Sequence, residues 1–141
     1  MRIGQGLLVS LAMLVAAPAL ADRLTVTDAW ARTTPPGVSM GAVYFRLQNG
    51  SGKSDRLLKL STPVAASAEV HRTEIVEGMA RMREVSVLHV APGEKLEFAP
   101  GGLHVMLMGL QGPLREGQVF ELTLLFEVAG PVKVRVTTRR N

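Results

Sequence analysis

The chain of 141 residues contains no cysteine. Without a thiol there is no disulfide framework, no thiol nucleophile, no zinc-finger site and no thiolate-ligated copper or iron–sulfur centre. A blue-copper electron-transfer site, which needs a Cys thiolate, is excluded with them. Aromatic residues are also scarce: Trp30 and Tyr44 are the single Trp and Tyr, and aromatics make up 4% of the chain. Single-strand nucleic-acid binders interleave stacking aromatics with a basic stripe. Here Arg139-Arg140 is the terminal basic pair, nothing interleaves aromatics with a basic stripe, and nucleic acid is not expected to bind. No Ser-His-Asp set or paired-acid motif stands out, and Glu69, Glu74, Glu77, Glu84, Glu94 and Glu97 fall at polar strand positions and turns. An enzyme is not expected. There is no linker, internal repeat or low-complexity tract, and a 47% hydrophobic content over this length fits one domain.

The long apolar run is confined to the start. Arg2 precedes an apolar stretch from Leu7 to Leu20, which ends in Ala19-Leu20-Ala21 before Asp22. A basic start, a short apolar centre and a small-x-small end mark a secretory signal peptide. A membrane span needs about 18 or more apolar residues, and this run is shorter and carries Pro18. Residues 1–21 are expected to be cleaved after Ala21, leaving residues 22–141 as one exported domain, expected as a monomer that meets a membrane only through a partner. Loss of Arg2 takes the formal net charge from +4 to +3. So mild a basic balance suits solubility or an acidic partner surface.

From Leu24 onward the apolar residues repeat every two positions, with turn residues at short intervals. Val43, Phe45 and Leu47 alternate with Tyr44, Arg46 and Gln48. Phe120, Leu122, Leu124 and Phe126 alternate with Glu121, Thr123, Leu125 and Glu127. Each apolar set is expected to face a core and each alternate set to face outward. Further strands are expected at 24–31, 56–60, 68–73, 80–85, 87–90, 95–98, 104–110 and 132–137. They are separated by turns such as Pro35-Pro36-Gly37, Glu77-Gly78 and Pro100-Gly101-Gly102. So many short strands imply an all-β sandwich or small Greek-key barrel.

Soft metal ligands are concentrated in one stretch. Met79, Met82, Met106 and Met108 lie in the region that also holds His71, His89 and His104. Neutral imidazole and thioether together suit Cu(I), whereas Zn²⁺ sites add thiolate or carboxylate and Mg²⁺ and Ca²⁺ take oxygens. In a strand, His104, Met106 and Met108 share one face and Val105 and Leu107 the other. A hairpin across Glu77-Gly78 brings His71 and Met82 to the same place. Taken singly, each Met is a common core filler and each His a common hydrogen-bonding side chain. His89, between Leu88 and Val90, is expected to face solvent; Met40 and Met79 are expected in turn or packing roles, and Met108 is either ligand or core.

Ten residues separate His71 from Met82, 21 separate Met82 from His104, and one separates His104 from Met106. These gaps match the His-x10-Met-x21-His-x-Met signature of the periplasmic copper chaperones called PCu(A)C, which the chain therefore resembles. The likeness extends to Ala29-Trp30-Ala31-Arg32, Pro35-Pro36-Gly37, Asp55-Arg56-Leu57 and the stretch from Pro100 to Leu110. It implies a cupredoxin-like β-sandwich with His71, Met82, His104 and Met106 as ligands for one Cu(I). The implied activity is delivery to the binuclear copper site of cytochrome c oxidase, with oxidase subunit II or another periplasmic copper chaperone as acceptor. Arg72 stands where relatives often carry Met or Glu after the first His, so no ligating role is expected at 72. Arg72, Arg81 and Arg83 are expected to flank the site and steer an acidic acceptor. Two other functions use the same features: copper buffering without dedicated delivery, and a metal-free sandwich that binds proteins.

Overall fold

The computed structural model describes residues 23–140; the expected signal peptide, residues 1–21, and its cleavage point lie outside them. Among the described residues every regular element is a strand: β1 (Leu24–Arg32), β2 (Met40–Asn49), β3 (Asp55–Ser61), β4 (Ala65–Val76), β5 (Met79–Glu84), β6 (Leu88–Val90), β7 (Lys95–Glu97), β8 (Leu103–Leu110), β9 (Val119–Phe126) and β10 (Gly130–Arg139). The hydrogen-bonded order is β5-β4-β8-β2-β1-β10-β9-β3-β6, with β7 on β2. A further pairing of Leu60 with Ala68 joins β3 to β4. The expected all-β, cupredoxin-like architecture is present, with its sheets curled into a seven-strand barrel and three short strands added at its edges. Among the described residues the paired strands run antiparallel except β1 with β10, and Phe98 adds a single parallel bridge to Leu103.

The core follows the two-residue period. Val43, Phe45 and Leu47 of β2 point inward to meet Val105 and Leu107 of β8 and Phe120, Leu122, Leu124 and Phe126 of β9, all buried. Phe45 stacks on Phe98 with ring centres 4.2 Å apart. Burying each such side chain stabilises the fold by about 1.5–3 kcal/mol. Arg46 and Gln48 face outward as the alternation implies, and His89 is exposed.

Tyr44 departs from that pattern, being only 7% exposed. The cause is a bulge in β1, where Asp28 takes φ 53° and the register shifts between Thr27 and Trp30. An extra residue re-aims the side chains beyond it, and Trp30 is set opposite Tyr44 with ring centres 4.7 Å apart. The Arg139 guanidinium lies 4.3 Å above the Trp30 ring. Tyr44 points away from the core as expected, but a neighbouring ring covers it.

Two buried polar side chains satisfy loop backbone. Asn49 Nδ2 donates to the carbonyls of Lys53 and Val90 at 2.7 and 3.2 Å. The Asp55 carboxylate accepts from the backbone N–H groups of Arg56, Val128 and Ala129 at 2.8, 2.8 and 2.9 Å. Asp55 thereby ties the start of β3 to the β9–β10 turn.

Candidate metal centre

The site begins with a turn. Glu77 and Gly78 have φ values of 51° and 76°, and Val76 pairs with Met79 across them. Two successive residues at positive φ make the tight loop whose twist matches that of its strands. This register sets Met82 opposite Thr73, one pleat along from His71, which faces Glu84. On the other side of β4, His71 lies opposite His104 and Glu69 opposite Met106. Beyond β8, β2 sets Ala42 opposite Met106 and Met40 opposite Met108.

Residues directly opposite one another share a face, so His71, Met82, His104 and Met106 all project from one face of the sheet. The reverse face carries Val70, Val105, Leu107 and Val43 into the core. The four residues singled out by spacing thus meet on the outside of the barrel, at graded depth. His104 is 5% exposed and Met82 is 61% exposed, with His71 and Met106 half-buried between them.

Both imidazoles are oriented by a hydrogen bond on one nitrogen. His104 Nδ1 lies 3.1 Å from the carbonyl oxygen of Gly102, and His71 Nε2 lies 3.1 Å from Glu69 Oε2. Each of these oxygens accepts, so the engaged nitrogen donates and the other is left with a free lone pair. Those other nitrogens, His71 Nδ1 and His104 Nε2, are buried and without a partner among the described residues. Buried polar atoms are rarely left unpaired, and each of these two nitrogens keeps a lone pair free for a ligand. The ring centres are 5.9 Å apart. Metal–imidazole bonds of about 2.0–2.1 Å, with each nitrogen about 1 Å from its ring centre, allow one ion between rings about 6 Å apart.

A solvent-open cavity of about 460 Å³ stands over these residues, with His104, Met106, Met82, Thr73, Met40 and Tyr44 in its wall. His71 is not part of that wall; its ring lies beside that of His104. Among the described residues no group of three His, Cys, Asp or Glu side chains is placed to hold a metal. The four side chains that meet here offer two imidazoles and two thioethers, a neutral, soft donor set of the kind that suits Cu(I).

Other expectations resolve differently. Met40, expected to pack or turn, instead opens β2 at 51% exposure and lines the cavity. Met79 lies beside the hairpin turn at 56% exposure, outside the cavity wall. Met108 is half-buried between Met40 and Ser67 and is not in the wall. Arg72, Arg81 and Arg83 do not flank the site. They alternate with Thr73 and Met82 and so project from the reverse face of the hairpin, where Arg83 lies 4.0 Å from Glu74.

The model of the LpqE-like lipoprotein family matches residues 24–138. The chain belongs to that family, to which PCuAC domains belong. Its relatives include "Putative lipoprotein Lxx21020" of Leifsonia xyli subsp. xyli, 34% identical over 120 residues, which are 80% of this chain and 71% of that protein. A second relative, 32% identical over 102 residues, is longer, and the match spans 56% of its length. Among solved structures, "Copper-bound PCuAC domain from PmoF2" superposes with a TM-score of 0.71 at 23% identity, covering 84% of this chain and 94% of that one. At that identity the likeness is one of fold. The "Solution structure of CuI-DR1885" from Deinococcus radiodurans is 33% identical with a TM-score of 0.67, covering 86% of this chain and 83% of that one. The LpqE-like family fold thus presents, in this chain, two oriented imidazoles and two thioethers on one exposed sheet face.

Proposed function

We propose that the protein is a monomeric periplasmic copper carrier that performs no catalysis. It binds one Cu(I) through His71, Met82, His104 and Met106 and passes it to a copper-acceptor protein. The acceptor implied by the resemblance is the binuclear copper site of cytochrome c oxidase subunit II, or another periplasmic copper chaperone. The observation that carries this reading is the pair of buried, unpartnered imidazole nitrogens, His71 Nδ1 and His104 Nε2, on the face that also holds Met82 and Met106. Relatives of the same fold named as copper-bound and CuI forms support it.

Neutral donors hold Cu(I) without the electrostatic grip of thiolates, so transfer to a thiolate-bearing acceptor runs downhill. Thioethers also escape the disulfide chemistry that removes paired thiols in an oxidising compartment. Imidazole must be unprotonated to bind, so acid favours release. Met82, 61% exposed, favours delivery over buffering, because an incoming ligand can displace a surface thioether before the ion comes free.

A competition titration against a chromophoric Cu(I) chelator at neutral pH tests the site, comparing the protein with a His104→Ala, Met106→Ala double variant. One tight equivalent, lost in the variant, is the expected result. A folded protein with no Cu(I) affinity would leave the protein-binding sandwich in its place. Transfer to an acceptor no faster than free-ion dissociation would leave a buffer.

A further inference from the structure

We propose that Met40 is a fifth donor of this centre, a thioether at the cavity mouth that takes Cu(I) as the ion leaves the imidazoles. The inference rests on the copper reading above and adds the route by which the ion departs.

The argument starts from register. Ala42 pairs with Met106 and Met40 with Met108, so Met40 stands one pleat along β2 from the position opposite Met106. Such diagonal neighbours are about 7–8 Å apart at their backbones, within reach of long side chains. Methionine has three rotatable bonds and a polarizable sulfur, so its donor atom sweeps a wide arc. Met82 approaches from the other side of β8, on the hairpin. Met40 therefore stands on the β2 side beside Met106, Met82 stands across the sheet on β5 with β4 between it and β8, and all three line one cavity.

Exposure gives the direction. His104 is 5% exposed, whereas Met40 and Met82 are 51% and 61% exposed. Two half-exposed thioethers at the mouth of a cavity whose floor is imidazole make a gradient from deep nitrogen to shallow sulfur. Met40, one pleat from the position opposite Met106, adds a second soft thioether on the β2 side of that cavity. Cu(I) can thus exchange a Cu–N bond for a Cu–S bond at Met40 and reach solvent-facing ligands without passing through the hydrated ion. The metal stays Cu(I) throughout, no electron moves, and the released imidazole regains its lone pair. An acceptor's donors then meet the ion at the surface.

The test uses the purified protein with ¹³C-labelled methionine methyl groups, and Met40→Leu and Met79→Leu variants. Met79 is equally exposed but lies outside the cavity wall. On addition of one equivalent of Cu(I), the Met40 methyl resonance is expected to shift and that of Met79 to stay. In stopped flow against excess chromophoric chelator, Met40→Leu is expected to transfer Cu(I) about tenfold more slowly, the change expected of about 1.4 kcal/mol in a barrier. Its equilibrium affinity should fall by much less, and Met79→Leu should match the parent. A Met40 methyl that does not move, a Met40→Leu protein that transfers at the parent rate, or equal slowing in Met79→Leu overturns the proposal. A protein that takes up no Cu(I) overturns the copper reading itself. Loading of one equivalent with parent-like Met40→Leu kinetics overturns only the exit route.

Discussion

Removing the carboxylate of Glu69 perturbs the centre through a residue that need not touch the ion. Its Oε2 lies 3.1 Å from His71 Nε2, and this bond keeps the proton on Nε2 and leaves Nδ1 free. His104 is oriented by the Gly102 backbone carbonyl instead, which no side-chain change removes. Among the described residues, Glu69 is therefore the side chain whose substitution loosens an imidazole while leaving all four proposed ligands in place. Loss of such an outer partner lowers metal affinity by about 10–100-fold. The Glu69 side chain is 39% exposed, against 15% for His71, so water replaces part of what is lost. The low end applies: about tenfold in Cu(I) affinity for Glu69→Ala, or about 1.4 kcal/mol. Glu69→Gln keeps an acceptor oxygen at the same reach and should fall within about threefold of the parent, since geometry rather than charge is the main effect. The assay is the chelator competition, run beside thermal unfolding of the metal-free proteins. Metal-free stability should change by less than about 0.5 kcal/mol, as for other surface substitutions. Parent-like affinity in Glu69→Ala would refute the positioning role, as would an equal loss in both variants.

Gly109 has φ +66°, and a Cβ there would stand 2.8 Å from the Ala66 Cβ. Gly109→Ala should therefore destabilise the fold by about 2–3 kcal/mol, seen as a lower denaturant midpoint at unchanged slope; an unmoved midpoint contradicts the steric argument. Asp55→Ala strips the acceptor from three backbone N–H groups and should cost about 2–3 kcal/mol by the same measurement, with Asp55→Asn recovering part. The Arg56 guanidinium donates to Glu127 and holds that carboxyl below its ordinary range. A depressed carboxylate stabilises the fold above its unfolded value and loses that contribution as pH falls through the folded one. Glu127→Gln should thus be slightly less stable than the parent at neutral pH and equal to it in acid. Both partners are nearly half exposed, which keeps the gap small. A gap that widens in acid reverses the assignment.

Strand positions, the hairpin at Glu77-Gly78 and the common face of His104 and Met106 were legible in the chain, because a two-residue period and positive-φ turns are local properties. So was the inward set Phe120, Leu122, Leu124 and Phe126. Tyr44 faces away from the core as alternation implies, but its burial was not legible, because its cover, Trp30, comes from another strand and is aimed there by a bulge. Met40 was expected to pack or turn rather than line the site for a similar reason. Its place in the cavity wall depends on β8 being the neighbour of β2 at that end, which no local pattern encodes. The arginines of the hairpin were placed on the site because they are near it in sequence, whereas alternation with Thr73 and Met82 turns them away.

The sequence by itself determined the all-β class, the soft donor chemistry that follows from having Met and His without Cys, and the spacing of the four candidate ligands. Periodicity tells each side chain which face of its own strand it takes. Which strands lie side by side, and in what register, depends on long-range hydrogen bonding that no local pattern encodes. That pairing alone decided that His71 faces His104, that each imidazole keeps one unpartnered nitrogen, and that Met40 stands with Met82 at the mouth of the same cavity.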